Sequence, residues 1–325
     1  MRLIAHNEER FPKKIRAGKS GKQKVRFQYF EDCYKENAFL AEDIRQTVQN
    51  GVPLSEIAVL FRTNMQPRAL MEYMVSANLA FQTKDRIPDI YEHWIARDFF
   101  TYIRIAQGSD SRADFLSIMN RPKRYIGRDS LPDETVCFDE WMKLYEEQPW
   151  IAERIEKLWY DLKHLSRLSP YAAINYIRRG IGYDDYLAEY AEYRNANKED
   201  FYEVADEILA SAKGYRTFEE WFAHIEEYRQ GLKRLAQEKR RNQNAVTFAT
   251  LHSAKGLEFT KVYLIDVNEG VMPYQKAVLA EAIEEERRMF YVGMTRARKE
   301  LTLCYVEERF EKKVEPSRFL DEVIQ

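Results

Sequence analysis

The sequence predicts an α/β protein in which one parallel-sheet domain is interrupted by an all-helical insertion. Two observations predict it. Short apolar runs that suit buried strands occur only before residue 90 and after residue 244, in alternation with helical stretches. From about residue 91 to residue 243 strand signals vanish, and aromatic and charged residues recur at helical spacing. The last strands need neighbours in a sheet, and the first segment supplies them. The sheet domain is therefore expected at 1–90 and 244–325, and the insertion at 91–243.

In order along the chain, VRFQYF (25–30) is the first strand candidate, followed by a helix from about Asn37 to Val48. IAVLF (57–61) is an unbroken apolar run of strand length, and ALMEYMVSA (69–77) is a helix behind it. The insertion carries WIARDFFTYIRI, WMKLYEE, IEKLWYDLKHL and FEEWFAHIEEYRQGLKRL, whose aromatic stripe, Trp141, Trp159 and Trp221 included, is expected in the core rather than as a base-stacking platform. VTFATL (246–251), KVYLIDV (261–267) and LTLCYV (301–306) return as strands, with a helix from AEAIEEERRMFYVGMTRA (280–297) between the last two.

Composition narrows the function. A formal net charge of −2 over 325 residues and a pI near 6.3 argue against coating nucleic acid by charge alone. Cys33, Cys137 and Cys304 are far apart and lack metal-ligand spacing, which fits a reducing cytosol. There is no apolar run of membrane-spanning length and no signal-peptide core in MRLIAHNEERFPKK, so a soluble, cytoplasmic protein with no membrane partner is expected. GKS at 18–20 imitates the end of a phosphate loop, but Lys13 stands where the opening glycine belongs and no buried strand precedes it. It reads as a basic loop within the run KKIRAGKSGKQKVR (13–26).

Chemistry concentrates elsewhere. In ATLHSAKGLEF (249–259) a strand ends in a threonine and a histidine, and a polar connection follows before the next apolar run, so these groups belong to a sheet edge, where ligands bind. Taken with LFRTNMQPRAL (60–70) and EEERRMFYVGMTRAR (284–298), this stretch resembles the C-terminal half of superfamily 1 helicases of the UvrD, PcrA and Rep type. TLHSAKGLEF and the YVGMTRA stretch resemble that family's motifs V and VI, in order and at the expected separation. NRPKRYIG (120–127) resembles its NxPxRGIG element, with Tyr125 in place of a glycine. TKDRIPDIYEHWIARD, after Phe81, departs from the family's glycine, phenylalanine and arginine pattern.

The resemblance implies a RecA-like second motor domain of the P-loop NTPase type, called 2A, carrying a helical subdomain, 2B. It implies ATP with Mg²⁺ as cofactor, with the phosphate loop and the Mg²⁺ ligands on an N-terminal motor domain outside these residues, and hence no activity of this part alone. RLIAHNEERFPKKI resembles the helix and loop that follow the family's QNYRS motif. By resemblance, Arg296 reaches the γ-phosphate and Glu258 the nucleotide ribose. Arg62, Asn64, Thr250 and His252 face single-stranded DNA, and Arg124 and Gly127 face duplex at a junction. Arg287 and Arg288 brace their helix against Glu284 to Glu286, and His6, His93, His164 and His224 are structural or exposed. The function implied is the C-terminal part of an ATP-dependent 3′ to 5′ DNA helicase, the other reading being a non-catalytic nucleic-acid-binding or regulatory fragment of helicase descent.

Overall fold

The computed structural model describes residues 3–8, 24–239 and 244–324, so GKS and most of the basic run around it lie outside the described residues. The chain divides into a sheet unit, 1–88 with 226–325, and a helical unit, 89–225.

The sheet unit contains β1 (Lys24–Asp32), α1 (Cys33–Gln49), β2 (Ile57–Phe61), α2 (Arg68–Ser76) and β3 (Phe81–Thr83). After the insertion come β4 (Val246–Thr250), β5 (Phe259–Leu264), α11 (Ala280–Met294), β6 (Ala297–Arg309), β7 (Lys312–Lys313) and α12 (Arg318–Ile324). The strands lie in the order β1-β6-β5-β2-β4-β3, all parallel, with β7 antiparallel on β6. Successive residues of a strand point to opposite faces, and in β2 all five are buried, so this strand is covered on both sides. Ala58 and Leu60 share one core with Val262 and Leu264 of β5, Leu301 and Leu303 of β6, Phe290 of α11 and Phe319 of α12. Ile57, Val59 and Phe61 point the other way and are equally buried.

Two differences from the expected elements have physical causes. β3 is only three residues long, too short to show alternation, and is defined by its pairing with β4 through Phe81 and Val246. The helical unit ends at Ile225 rather than at 243, inside α10 (Phe218–Lys239). The cause is Gly231, where a Cβ would meet Cγ1 of Val75 at 2.4 Å, so this part of the helix lies directly against α2.

Within the helical unit, α3 (Trp94–Ala106) is the hub. It touches α4 (Arg112–Ile118), α6 (Pro149–Leu165) and α9 (Lys198–Ser211) and buries Ile95, Phe99, Tyr102 and Ile103. α5 (Phe138–Lys143) packs on α6, and α8 (Tyr183–Tyr193) on α9. α7 (Pro170–Asn175) continues into a π-helical turn, Tyr176–Gly180, a wider winding that the sequence pattern does not show. Trp141 and Trp221 are core residues as expected, whereas Trp159 is half-buried under the Lys163 ammonium, 3.3 Å from its ring centroid.

Among the described residues no helix is long and apolar enough to cross a membrane. Cys33, Cys137 and Cys304 are free thiols, and burial pushes the Cys304 thiol up.

Candidate nucleotide and nucleic-acid sites

Because β2, β4 and β5 are parallel, the residues following β2 and β4 share one edge of the sheet, and those preceding β5 lie at the opposite edge. Residues 251–258 therefore cross a whole face of the sheet, anchored by buried Leu251 and Ala254. This separates the expected site residues into two groups.

At the first edge a cleft of about 430 Å³ is lined by Arg62, Asn64, Thr250 and His252, with Thr63, Asp85, Ser253 and Tyr274 beside them. All four expected strand-facing residues meet here. The LFRTN turn is held from within: Gln66 Oε1 accepts from the backbone N–H of Arg62 and of Thr63, both at 2.7 Å, while its Nε2 donates to Asp266. Arg62 donates two ends of its fork to Glu286 at 2.7–3.1 Å and lies 5.2 Å from the Tyr274 ring centroid. Asp85 accepts from Thr250 N at 2.8 Å, from the Thr250 hydroxyl at 3.2 Å and from the Ser253 hydroxyl. Arg62, the one Arg or Lys lining the cleft, faces the Glu286 carboxylate, and Asp85 is a further carboxylate beside it, so the cleft offers shape and hydrogen-bonding groups rather than net positive charge. Thr63 Oγ1 and Asn64 Oδ1 are buried without a partner, as groups kept for an outside ligand would be.

At the opposite edge, Arg296 sits between the end of α11 and β6. Its Nη1 donates to Leu257 O and its Nε to Val292 O, both at 2.9 Å, and its Nη2 to Thr295 Oγ1 at 3.0 Å. Phe259 N donates back to Arg296 O at 2.9 Å, so the bonds of Arg296 fall on both residues flanking Glu258. A guanidinium has five N–H donors, and these three bonds leave two for an oxyanion. Glu258 is exposed. The Arg298 guanidinium donates to Glu56, which raises its pKa, and the charge of Glu258 adds to the rise.

Gly293, in YVGMTRA, sets how closely α11 approaches the sheet: a Cβ there would fall 2.5 Å from Leu251 Cδ2 and 3.2 Å from Leu264 Cδ2. Gly293→Val is expected to destabilise the sheet unit by about 1–3 kcal/mol through overpacking. Urea unfolding followed by circular dichroism checks this; an unchanged midpoint would mean the leucines yield freely.

Two expected roles change, those of Arg124 and Arg287, and that of Gly127 does not. Arg124 is buried, and its guanidinium donates to the carbonyls of Ile118, Met119 and Pro122 and to the Tyr102 hydroxyl. It is spent inside the fold and is not presented to duplex. Gly127 has an ordinary negative φ, and a Cβ there would make only a normal contact with Tyr145, so nothing within the protein demands glycine. Arg288 pairs with Glu284 and Glu285 as expected, but Arg287 reaches Glu322 of α12 and Asn7 instead. Of the remaining histidines, His93 caps α3 by accepting from Ile95 N at 3.3 Å, with burial lowering its pKa. His164 and His224 pack on Tyr176 and Tyr215, and His6 is exposed.

The motifs that build these two edges recur in known proteins. The sequence model of the UvrD-like helicase C-terminal domain matches residues 1–308. The chain belongs to that family. Similar proteins include the ATP-dependent DNA helicase PcrA of Bacillus subtilis, 28% identical over 94% of this chain and 44% of its own length. The ATP-dependent DNA helicase Rep of Escherichia coli is 28% identical over 99% of this chain and 51% of its own. DNA helicase II of Haemophilus influenzae is 26% identical over 99% and 47%. The chain thus spans about half the length of these relatives, and the mixed α/β fold with its parallel sheet agrees with the family.

Residues missed from sequence are those that hold the motif side chains: Asp85 under Thr250, Glu286 under Arg62, and Tyr274 beside it. Asp85 lies in the stretch that departs from the family pattern, the one signal that could have drawn notice to it.

Proposed function

We propose that this chain is the second motor domain and helical subdomain of an ATP-dependent 3′ to 5′ DNA helicase working in the cytoplasm, inactive without a first motor domain. One observation carries the reading: residues 251–258 begin at the cleft that holds Thr250 and His252 and end by seating the Arg296 guanidinium on Leu257 O. A displacement of this segment by DNA is thereby transmitted to the arginine. The direction of travel follows the family resemblance.

The residues fit a nucleotide. The two remaining donors of Arg296 suit a phosphate oxygen, and exposed Glu258 suits a ribose hydroxyl. Following the family resemblance, the Mg²⁺ ligands belong to a first motor domain rather than to this chain. When bound, ATP with Mg²⁺ would supply the phosphoryl group transferred to water; Arg296 would neutralise the charge that develops on it, and Glu258 would orient the sugar.

Single-stranded DNA crosses the cleft on the hydroxyl, amide and imidazole of Thr250, Asn64 and His252, groups that hold a backbone without reading bases. In a complete motor, His252→Ala or Asn64→Ala should weaken DNA-stimulated ATP hydrolysis more than basal nucleotide binding. A titration of ATPase rate against oligo-thymidine checks this, and equal stimulation in parent and variants would remove these residues from the track.

A further inference from the structure

The element from Asn120 to Gly127 is fixed on both sides of Tyr125 and free at Tyr125 itself. Asn120 Oδ1 accepts from Arg124 N at 3.2 Å and from Ile126 N at 3.1 Å, and Asn120 Nδ2 donates to Ile126 O at 2.8 Å. Arg124 and Ile126 are buried, at 7% and 3% exposure, whereas Tyr125 is 55% exposed and has φ +60°. A bulky side chain is disfavoured in this left-handed region, where glycine is at ease. The exposed ring recovers little of that cost by burial. A strained residue kept against its backbone preference marks a functional requirement.

Its surroundings define the requirement. Trp150, 49% exposed, meets Tyr125 edge to face with centroids 6.3 Å apart. Lys123 Nζ stands 4.6 Å from the Tyr125 centroid, and the Arg154 guanidinium 5.1 Å from Tyr125 and 4.9 Å from Trp150. Arg154 is held there by donating to Arg124 O at 3.1 Å. Among the described residues neither Lys123 nor Arg154 is paired with a carboxylate. Two exposed aromatic rings beside two unneutralised cations form a surface complementary to a nucleobase and its phosphate.

We propose that Tyr125 and Trp150 form a stacking platform for the last paired base of a DNA duplex at a junction, with Lys123 and Arg154 taking the adjoining phosphate. The proposal rests on the reading of this chain as a DNA-binding part of a helicase. It gives a role to Tyr125, which stands where the family element has glycine, and it does not depend on Arg124.

The test uses the full chain and a duplex with a single-stranded flank carrying 2-aminopurine at the last paired position. Stacking quenches this fluorophore on binding. Tyr125→Gly should abolish the quench and weaken junction binding by roughly 5- to 150-fold, the size of one base–aromatic stack. It should bind single-stranded oligo-thymidine as the parent does, and melt no lower, because glycine suits the backbone there. Tyr125→Phe should keep both quench and affinity, Trp150→Ala should lose part of each, and Lys123→Gln should keep the quench while reducing the salt slope by about one. Identical quench and affinity in parent and Tyr125→Gly overturns the platform, including the case in which the patch serves a protein partner. Failure of the parent to bind either single strand or junction overturns the platform together with the DNA-binding reading, which separates the two failures.

Discussion

Replacing Arg296 by alanine, in a motor that contains both nucleotide-contacting domains, is expected to lower ATP turnover by about 10³- to 10⁵-fold, the range of a lost arginine finger. Nucleotide binding should stay nearly normal, since ground-state affinity comes mostly from a phosphate loop and its metal, and the arginine meets charge that grows only in the transition state. The bonds to Leu257 O and Val292 O hold the guanidinium in place, so on the proposed reading no reorganisation would be needed as the charge forms. Lysine should rescue poorly: one ammonium on a flexible stem cannot keep both carbonyl bonds and also present two parallel donors. Single-turnover hydrolysis beside a nucleotide-binding titration measures the effect. Turnover within a few-fold of the parent, at an unchanged melting temperature, would refute the assignment.

The second large effect concerns the stability of the helical unit. Arg178, 5% exposed, lies between Asp184 at 2.9 Å and Asp206 at 2.7 Å and belongs to the π-helical turn Tyr176–Gly180. Burial alone would lower its pKa, but the two carboxylates outweigh burial and raise it, so the side chain is held as a cation. Arg178→Met should cost about 3–5 kcal/mol, because it leaves carboxylates facing each other with no cation between them. The sequence offers a selective probe: all five tryptophans, Trp94, Trp141, Trp150, Trp159 and Trp221, lie in residues 89–225, so tryptophan fluorescence during urea unfolding reports this unit. A loss below about 1 kcal/mol would show that the ion cluster is solvent-screened and makes only the contribution of a surface pair.

Much of the fold is legible because its signals are local. IAVLF can be little other than a strand covered on both faces, and β2 occupies those residues and no others. What escaped depends on distant partners. β3 exists because Phe81 finds Val246, and β6 extends beyond LTLCYV because β5 pairs with it at Ala297 and β1 and β7 pair with it beyond Val306. The same division runs through the site. The motifs bring Arg62, Asn64, Thr250 and His252 to one cleft, yet Arg62 is held by Glu286, 224 positions away, and Thr250 by Asp85, 165 positions away. Neither pairing has a sequence period. Arg124 shows a further limit, since an arginine in a basic turn looks the same from sequence whether its head group faces solvent or plugs four acceptors inside the fold.

The strand order also dictates when this sheet can begin to exist. Among the described residues β1 pairs only with β6, β2 only with β4 and β5, and β3 only with β4, so no two of the first three strands are neighbours. As the chain leaves the ribosome, IAVLF therefore has no sheet partner until the helical unit has been made and residue 246 has followed it. The helical unit, with its contacts closer in sequence, is free to form in the interval. The last segment then converts three waiting strands into a sheet, placing β4 and β5 on either side of β2. During synthesis an apolar strand thus stays unpaired for most of the chain's length, the interval in which a chaperone has the most to protect.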